Sequence, residues 1–242
     1  MCGRFTLTVS SEEIAAQFTT NPPQLPQLEF NWNIAPTTPI YFVKGETPSG
    51  DVRSIDIARW GLIPSWARDA SRASNAINAR SESIAEKPTF REAFRARRCI
   101  IPATGYYEWA TELGPYPPKQ PFYIHRKDNS LLAIAGLYES WIDPASKKEV
   151  STASIITREA VGGLATIHHR MPVFLSEDKW SAWMGTSRLR ESEVDQYLAL
   201  LNSPEPAAGL EFHPVNPAVN SALTSGAELI KPIELGEPET LF

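Results

Sequence analysis

Hydrophobic and polar residues alternate along several short stretches of the chain. Between Arg53 and Trp60 the alternation has the two-residue period of a β-strand with one face buried. Further strand-like runs lie at Cys99–Ile101, Gly105–Trp109, Phe122–Arg126, Leu131–Tyr138 and Ser154–Thr157. The pattern therefore predicts a protein that contains many short strands.

Helical signals are fewer and lie between these strands. Ser10 and Glu13 have the spacing of a capping box, which predicts that a helix begins there. Phe90 and Phe94 lie four residues apart among arginines, so the segment Pro88–Arg98 is predicted to be an amphipathic helix. Two further helices are predicted at Glu177–Met184 and Arg188–Leu201.

Short strands with a few interspersed helices favour a mixed α+β fold with peripheral helices over a regular βαβ repeat. The chain has 242 residues and 21 prolines, which are scattered along its length. Scattered prolines interrupt many short elements and do not mark one linker. We therefore expect a single loop-rich domain, with the final residues Glu237–Phe242 as a loose tail.

Composition and net charge argue against several classes of protein. No apolar stretch reaches the about 18 residues of a membrane-spanning helix, and no secretory signal pattern begins the chain. With only two cysteines, a disulfide framework is not expected, and a reducing, cytoplasmic location is the default. The net charge of −5 argues against nonspecific coating of nucleic acid. Any DNA contact would need a local basic patch, for which Arg91, Arg95, Arg97 and Arg98 are candidates.

The N-terminus carries the first candidate chemistry. Methionine aminopeptidase removes Met1 before a small residue, and this would leave Cys2 with a free α-amine beside its thiol. Such a 1,2-aminothiol condenses with aldehydes, because the amine forms an imine and the thiol then closes a five-membered thiazolidine ring. A ring-opened abasic deoxyribose is such an aldehyde. The competing interpretation is a disordered terminus that happens to contain cysteine.

Two internal segments offer acid–base and polar groups. Glu108 lies between Tyr107 and Trp109. Burial of this strand would raise the pKa of the carboxyl toward the range in which it could act as a general acid or base. Asn78 could orient an amine or a sugar hydroxyl, and Arg80 is suited to a phosphate. A solvent-facing strand and a surface turn are the respective alternatives.

Two of the four histidines are adjacent in the segment Ile167–Pro172. His168 could move protons at sugar oxygens, and Arg170 could bind the DNA backbone. Adjacent histidines do not easily face one ion from a strand, and no cluster of cysteines or carboxylates completes a ligand set nearby. We therefore predict no metal site and no cofactor.

An aromatic loop runs from Trp60 to Trp66. In a DNA-binding protein these tryptophans could stack on bases or wedge between them. In any other protein the same residues would belong to the core.

A set of short motifs follows in order along the chain. They are Cys2–Phe5, Asn33–Thr37, Trp60–Pro64, Asn78–Glu82, Arg98–Ala103, Gly105–Trp109, Ala135–Tyr138, Ile167–Pro172 and Gly226–Pro232. Taken together, these segments resemble the SOS-response-associated peptidase family, the abasic-site processing proteins. The resemblance extends from residue 2 to about residue 232, so we predict a domain over residues 1–232 and a tail over 233–242.

The resemblance implies a protein that bonds covalently to abasic sites in single-stranded DNA and shields them during the DNA-damage response. Nothing in the sequence indicates an obligate dimer, so a monomer is expected. Cys2 matches the nucleophile, Asn78 the residue that positions it, Glu108 the acid–base group, and His168 the histidine at the sugar. Arg4, Arg80 and Arg170 match phosphate contacts, and Trp60 and Trp66 match the wedge. The family name implies a peptidase or hydrolase class, and lyase chemistry is a further implied activity.

Two hypotheses from other classes stay open at this point. An N-terminal-nucleophile amidohydrolase would also use a freed Cys2, and it predicts a layered α/β/β/α sandwich. A non-catalytic single-stranded DNA module would use the arginines and tryptophans alone, and it predicts equal binding to intact and abasic strands.

Overall fold

The computed structural model describes residues 2–21, 24–71, 73–111, 115–203 and 207–235. The strands in this part of the chain are β1 (Arg4–Leu7), β2 (Asn31–Ile34), β3 (Pro39–Gly45), β4 (Arg53–Trp60), β5 (Asn78–Arg80), β6 (Arg98–Ala103), β7 (Gly105–Trp109), β8 (Pro121–Arg126), β9 (Leu132–Ile142), β10 (Glu149–Glu159), β11 (Arg170–Pro172) and β12 (Leu210–Pro214). The α-helices are α1 (Ser11–Phe18), α2 (Arg91–Ala96), α3 (Glu177–Met184) and α4 (Glu191–Leu201).

The strands form two sheets. One sheet has the order β12-β8-β7-β1-β2, and the other has the order β11-β10-β4-β3-β6-β9, with β5 added beside β10. Strand β9 pairs with both β6 and β10, so β10, β4, β3, β6 and β9 close into a small barrel. Closure removes the free edges that an open sheet would expose.

The barrel wall is covered on its outer side by helices. All six residues of β6 are buried, as expected for a strand that is packed on both faces. The indole of Trp183 in α3 donates a 2.8 Å hydrogen bond to the carbonyl of Cys99 in β6, which ties the helix to the barrel. The predicted α+β fold with peripheral helices is therefore confirmed, and the layered sandwich of the amidohydrolase hypothesis is not the architecture of the described residues.

Most predicted elements are confirmed, and the differences have local causes. Helix α1 has the predicted capping box, in which the Ser10 hydroxyl accepts from the Glu13 backbone and the Glu13 carboxylate accepts from the Ser10 backbone. Helix α2 is shorter than predicted, because Phe90 is its N-cap and the chain at Arg98 already pairs with β9. Six strands were not predicted, namely β1, β2, β3, β5, β11 and β12.

The end of the described chain stays attached to the domain. The backbone of Ile233 donates to the carbonyl of Pro214 at 3.0 Å, and Leu235 packs against the core. The predicted loose tail Glu237–Phe242 lies outside the described residues. None of the helices in the described ranges has the length and apolar character needed to cross a membrane.

Candidate functional site

The pairing of β1 with β7 brings the N-terminal segment to Glu108. The strands are antiparallel, with Arg4 opposite Tyr107 and Phe5 opposite Tyr106. Residues that precede Arg4 therefore run beside residues that follow Tyr107. Cys2 is fully buried there, so it is an ordered part of the core and not a frayed terminus.

A long-range hydrogen bond fixes Cys2 from the other sheet. The side-chain amide of Asn78, the first residue of β5, donates to the backbone carbonyl of Cys2 at 2.7 Å. The Asn78 segment is an ordered strand beside β10 and not a surface turn. The other amide atom, Asn78 Oδ1, is buried and has no hydrogen-bond partner among the described residues.

Glu108 faces the interior. It is 4% exposed, because successive side chains of a strand alternate between faces and those of Tyr106 and Glu108 both point into the core. Burial raises the pKa of the Glu108 carboxyl above its ordinary value. Burial also raises the pKa of the Cys2 thiol well above its usual range, and the negative charge of Glu108 raises it further. The site therefore holds a protonated thiol beside a buried carboxyl group whose pKa is raised.

His168 approaches the same end of β7. The backbone of Thr111, just after β7, donates to the carbonyl of Ile167 at 3.0 Å. Burial lowers the pKa of His168 to about 4, and the neighbouring cation Arg170 acts in the same direction. The Arg170 backbone N–H donates to His168 Nδ1 at 2.9 Å. The Arg170 carbonyl lies 3.3 Å from the same nitrogen, which is a longer contact, so the shorter bond favours the neutral ring with its proton on Nε2.

The two tryptophans of the aromatic loop have different environments. Trp60 has no exposed surface, lies edge-on to Phe5 with ring centroids 5.1 Å apart, and donates from its indole to the carbonyl of Ile77 at 3.0 Å. The Trp60 ring packs in the core between β1 and the residue that precedes β5. The prediction that Trp60 contacts DNA is therefore wrong. Trp66 is 64% exposed, so its ring is accessible to a base.

The three arginines predicted to bind phosphate also differ. The guanidinium of Arg4 donates to Asn33 Oδ1 at 2.9 Å and to the carbonyl of Val219 at 3.0 Å. Arg170 is buried and makes a bidentate ion pair with Glu82. The side chain of Arg80 is exposed.

Three of the four arginines of the predicted basic patch are engaged by other groups of the protein, whereas Arg91 is exposed. Arg98 is 2% exposed and donates to backbone carbonyls, including that of Trp183 at 2.8 Å. Arg95 pairs with Glu191 at 2.5 Å, and Arg97 pairs with Glu139 at 2.6 Å. These contacts leave little of the cluster for DNA phosphates.

Sequence reasoning gave no role to several residues that build the site. Asn33 donates from its amide to the carbonyls of Ser221 and Thr224 at 2.9 and 2.8 Å, and it accepts from Arg4. Glu82 holds Arg170. Both residues lie inside the motif blocks that carried the resemblance, but a motif does not show which partner a side chain meets.

No group of three or more histidine, cysteine, aspartate or glutamate residues that could hold a metal ion occurs in the part of the chain described above. The Asn78 amide and the buried Glu108 carboxyl lie beside Cys2, and His168 approaches the same end of β7 as a neutral imidazole. Such a set can support addition to a carbonyl group and the accompanying proton transfers.

Comparison with known proteins decides the family. The family model described as "SOS response associated peptidase (SRAP)" matches residues 1–222. The chain belongs to the SRAP family. A relative from Bacillus subtilis, abasic site processing protein YoqW, is 37% identical over 233 residues, which cover 96% of this chain and 99% of the relative. Abasic site processing protein HMCES from Gallus gallus is 31% identical and is matched over 75% of this chain and 58% of its own length.

Two solved structures share the fold of this chain. A crystal structure of a protein from Bacteroides thetaiotaomicron has a TM-score of 0.79 at 27% identity, covering 96% of this chain and all of the other. A protein from Bordetella bronchiseptica has a TM-score of 0.69 at 22% identity, which shows the shared fold alone.

Proposed function

We propose that this SRAP protein processes abasic sites by bonding covalently to them in single-stranded DNA through Cys2, with its α-amine freed by removal of Met1. The names of the relatives support abasic-site processing. The observation that carries the covalent step is the convergence of Asn78 and Glu108 on Cys2 from different sheets. The crosslink would shield the lesion until repair.

The proposed reaction has two steps and changes no oxidation state. The amine nitrogen attacks the aldehyde carbon of the ring-opened sugar, and loss of water gives an imine. The Cys2 sulfur then adds to the imine carbon, the thiol proton ends on the nitrogen, and a thiazolidine ring closes. The second step is intramolecular, so it gains the high effective concentration of a preset geometry. The same imine could instead lose the 3′ phosphate by β-elimination, which would be the lyase activity.

The buried groups supply the proton transfers. The raised pKa of Glu108 suits it to take the thiol proton and to return it to nitrogen or to the departing water. His168 Nε2–H is a donor suited to the ring oxygen of the sugar, where it would assist ring opening. Asn78 Oδ1, which has no hydrogen-bond partner within the described ranges, suits a donor on the amine or on the sugar.

DNA contacts would come from a few exposed groups on an acidic chain. Trp66 would stack on an unpaired base beside the lesion. Arg80, two residues after Asn78, would bind a phosphate. For Arg4 to bind a phosphate it would first have to leave Asn33 and Val219. We propose that the protein acts as a monomer in the compartment that holds its DNA.

The test is covalent capture on a denaturing gel. Wild-type protein, with loss of Met1 verified by mass spectrometry, is incubated with a single-stranded oligonucleotide that carries one abasic site. The expected result is a band shifted by one protein mass, absent with intact DNA and absent in Cys2→Ala. Cys99→Ala is the matched control, because it removes the other buried cysteine and should leave the adduct intact. A wild-type protein without Met1 that gives no adduct would refute the proposal.

A further inference from the structure

The exposed ring of Trp66 is carried by a short turn. The Ala67 backbone N–H donates to the carbonyl of Pro64 at 2.8 Å, so Ser65 and Trp66 are the two central residues of this turn. The Trp66 side chain is 64% exposed and contributes little packing of its own. A surface turn with so little packing is mobile unless other groups fix it.

Trp141 makes such a contact from the barrel wall. It lies in β9, is 4% exposed, and donates from its indole N–H to the carbonyl of Ala67 at 2.8 Å. Its ring packs in a small buried cluster with Ile63 and Ala73. Because Ala67 directly follows Trp66, this hydrogen bond fixes the turn at the residue next to the exposed ring.

The residues before the turn are fixed by the neighbouring strand. The Ile63 backbone N–H donates to the hydroxyl of Thr152 in β10 at 3.1 Å, and that hydroxyl donates to the carbonyl of Glu139 in β9 at 3.2 Å. Strands β9 and β10 are paired, with Trp141 opposite Val150. Both contacts therefore come from one rigid part of the barrel, which sets the position of the turn.

The turn borders a cavity of about 680 Å³. Trp66 and Ile63 line one part of it, and Phe90 lines another. Ala76, which is two residues before Asn78, lies in the same wall, so the cavity begins close to the candidate site. Cavities of about 300–1,000 Å³ accommodate small organic groups, and a nucleobase is within that range.

We propose that Trp141 is a positioning residue for DNA binding: through the carbonyl of Ala67 it keeps Trp66 at the wall of this cavity, where an unpaired base beside the lesion stacks. Trp141 is buried and does not touch the DNA. A ring that is already in place loses less conformational freedom on binding than a mobile ring does. The inference rests on the proposed function, since it concerns the DNA contact made by Trp66.

The rival assignment is that Trp141 serves the fold alone. In that case its replacement lowers stability, and any effect on DNA binding is independent of Trp66. A double-mutant cycle distinguishes the two assignments, because a residue that acts through Trp66 has no effect on binding once the Trp66 ring is removed.

The test uses Trp141→Phe, which keeps an aromatic ring and removes the indole N–H. The Kd for a single-stranded oligonucleotide with a tetrahydrofuran analogue of the abasic site is measured by fluorescence anisotropy in wild type, in Trp141→Phe, in Trp66→Ala and in the double variant. The analogue has no aldehyde, so no covalent step contributes. Trp183→Phe is the matched control, because it also removes a buried indole that donates to a carbonyl at 2.8 Å, that of Cys99.

Trp66→Ala should raise the Kd by about 5- to 150-fold, the value of one stacked base. Trp141→Phe should raise it by about two- to tenfold, the cost of ordering one mobile side chain on binding. Adding Trp141→Phe to Trp66→Ala should have no further effect. Trp141→Phe and Trp183→Phe should both lower the Tm, since each loses a buried hydrogen bond, but Trp183→Phe should leave the Kd unchanged.

An unchanged Kd in Trp141→Phe would overturn the inference, and so would an equal effect of this change with and without the Trp66 ring. A Trp66→Ala variant that binds as tightly as wild type would also overturn it, because the contact through which Trp141 acts would be absent. If Trp141→Phe fails to fold, Thr152→Val serves instead, because it removes the acceptor of the Ile63 N–H and should show the same dependence on Trp66.

Failure of the inference and failure of the proposed covalent function are distinguishable. A wild-type protein without Met1 that shows the expected pattern of Kd values but forms no adduct with abasic DNA would support the role of Trp141 and refute the covalent function. An adduct together with an unchanged Kd in Trp141→Phe would overturn the inference alone.

Discussion

The side-chain amide of Asn78 donates a 2.7 Å hydrogen bond to the backbone carbonyl of Cys2, from a position 76 residues further along the chain. Asn78 belongs to the strand beside β10, whereas Cys2 leads into the sheet that contains β7. This one contact therefore fixes the proposed nucleophile relative to both sheets.

Replacing Asn78 with Asp should slow crosslinking by about tenfold or more. The variant places an acceptor where a donor met the Cys2 carbonyl, and losing a buried hydrogen bond costs about 1–3 kcal/mol. Single-turnover gels measure the rate. Asn202→Asp is the control, because Asn202 also donates its amide to a carbonyl, that of Leu198, but at an exposed site. Equal rates in the two variants would show that the Asn78 contact does not matter for the reaction.

Glu108→Gln should change how stability depends on pH. Burial raises the folded-state pKa of Glu108, so its favourable contribution is present below the ordinary carboxyl pKa of about 4.3 and is lost as pH rises through the raised value. Glutamine cannot ionise and does not incur this loss. The Tm of the variant relative to wild type should therefore increase as the pH rises above the ordinary carboxyl pKa of about 4.3. A difference in Tm that stays constant above this pH would mean that the pKa of Glu108 is not raised.

His168 should stay neutral over the whole range in which an ordinary histidine titrates. Its pKa is lowered to about 4, compared with about 6.5 for an unperturbed side chain. The stability due to the neutral ring is present above the unfolded-state value and is lost as pH falls through the window between the two values. An NMR titration of the ring protons measures the midpoint, and a midpoint near the ordinary value would contradict the burial argument.

Truncating the two tryptophans should separate stability from DNA binding. Trp60→Ala should lower the free energy of unfolding by about 3–5 kcal/mol, because it empties a core position. Trp66→Ala should change that energy by no more than about 0.5 kcal/mol, since its ring is mostly exposed. It should instead weaken binding of single-stranded DNA by about 1–3 kcal/mol, the value of one stacked base.

Urea unfolding and fluorescence anisotropy with a labelled oligonucleotide measure the two effects. A large loss of stability in Trp66→Ala would place its ring in the core. Unchanged DNA binding in Trp66→Ala would remove it from the proposed interface.

The sequence by itself determined the elements with strong local signals. The capping box at Ser10 set the start of α1, and β4 has the bounds that its alternation predicted. It also supplied the residues of the candidate site, through the ordered motifs that resemble the SRAP family. Local periodicity and capping depend on residues a few positions apart, so they are visible in the chain itself.

Only the tertiary structure decided which of these side chains are buried and what they contact. Trp60 ends β4 and Trp66 lies in the segment that follows it, yet the first is in the core and the second is exposed. Arg170 pairs with Glu82 across 88 residues, and Arg98 is buried among backbone carbonyls. Burial and long-range pairing depend on how distant strands are arranged, and neither the local period nor the residue type records that arrangement.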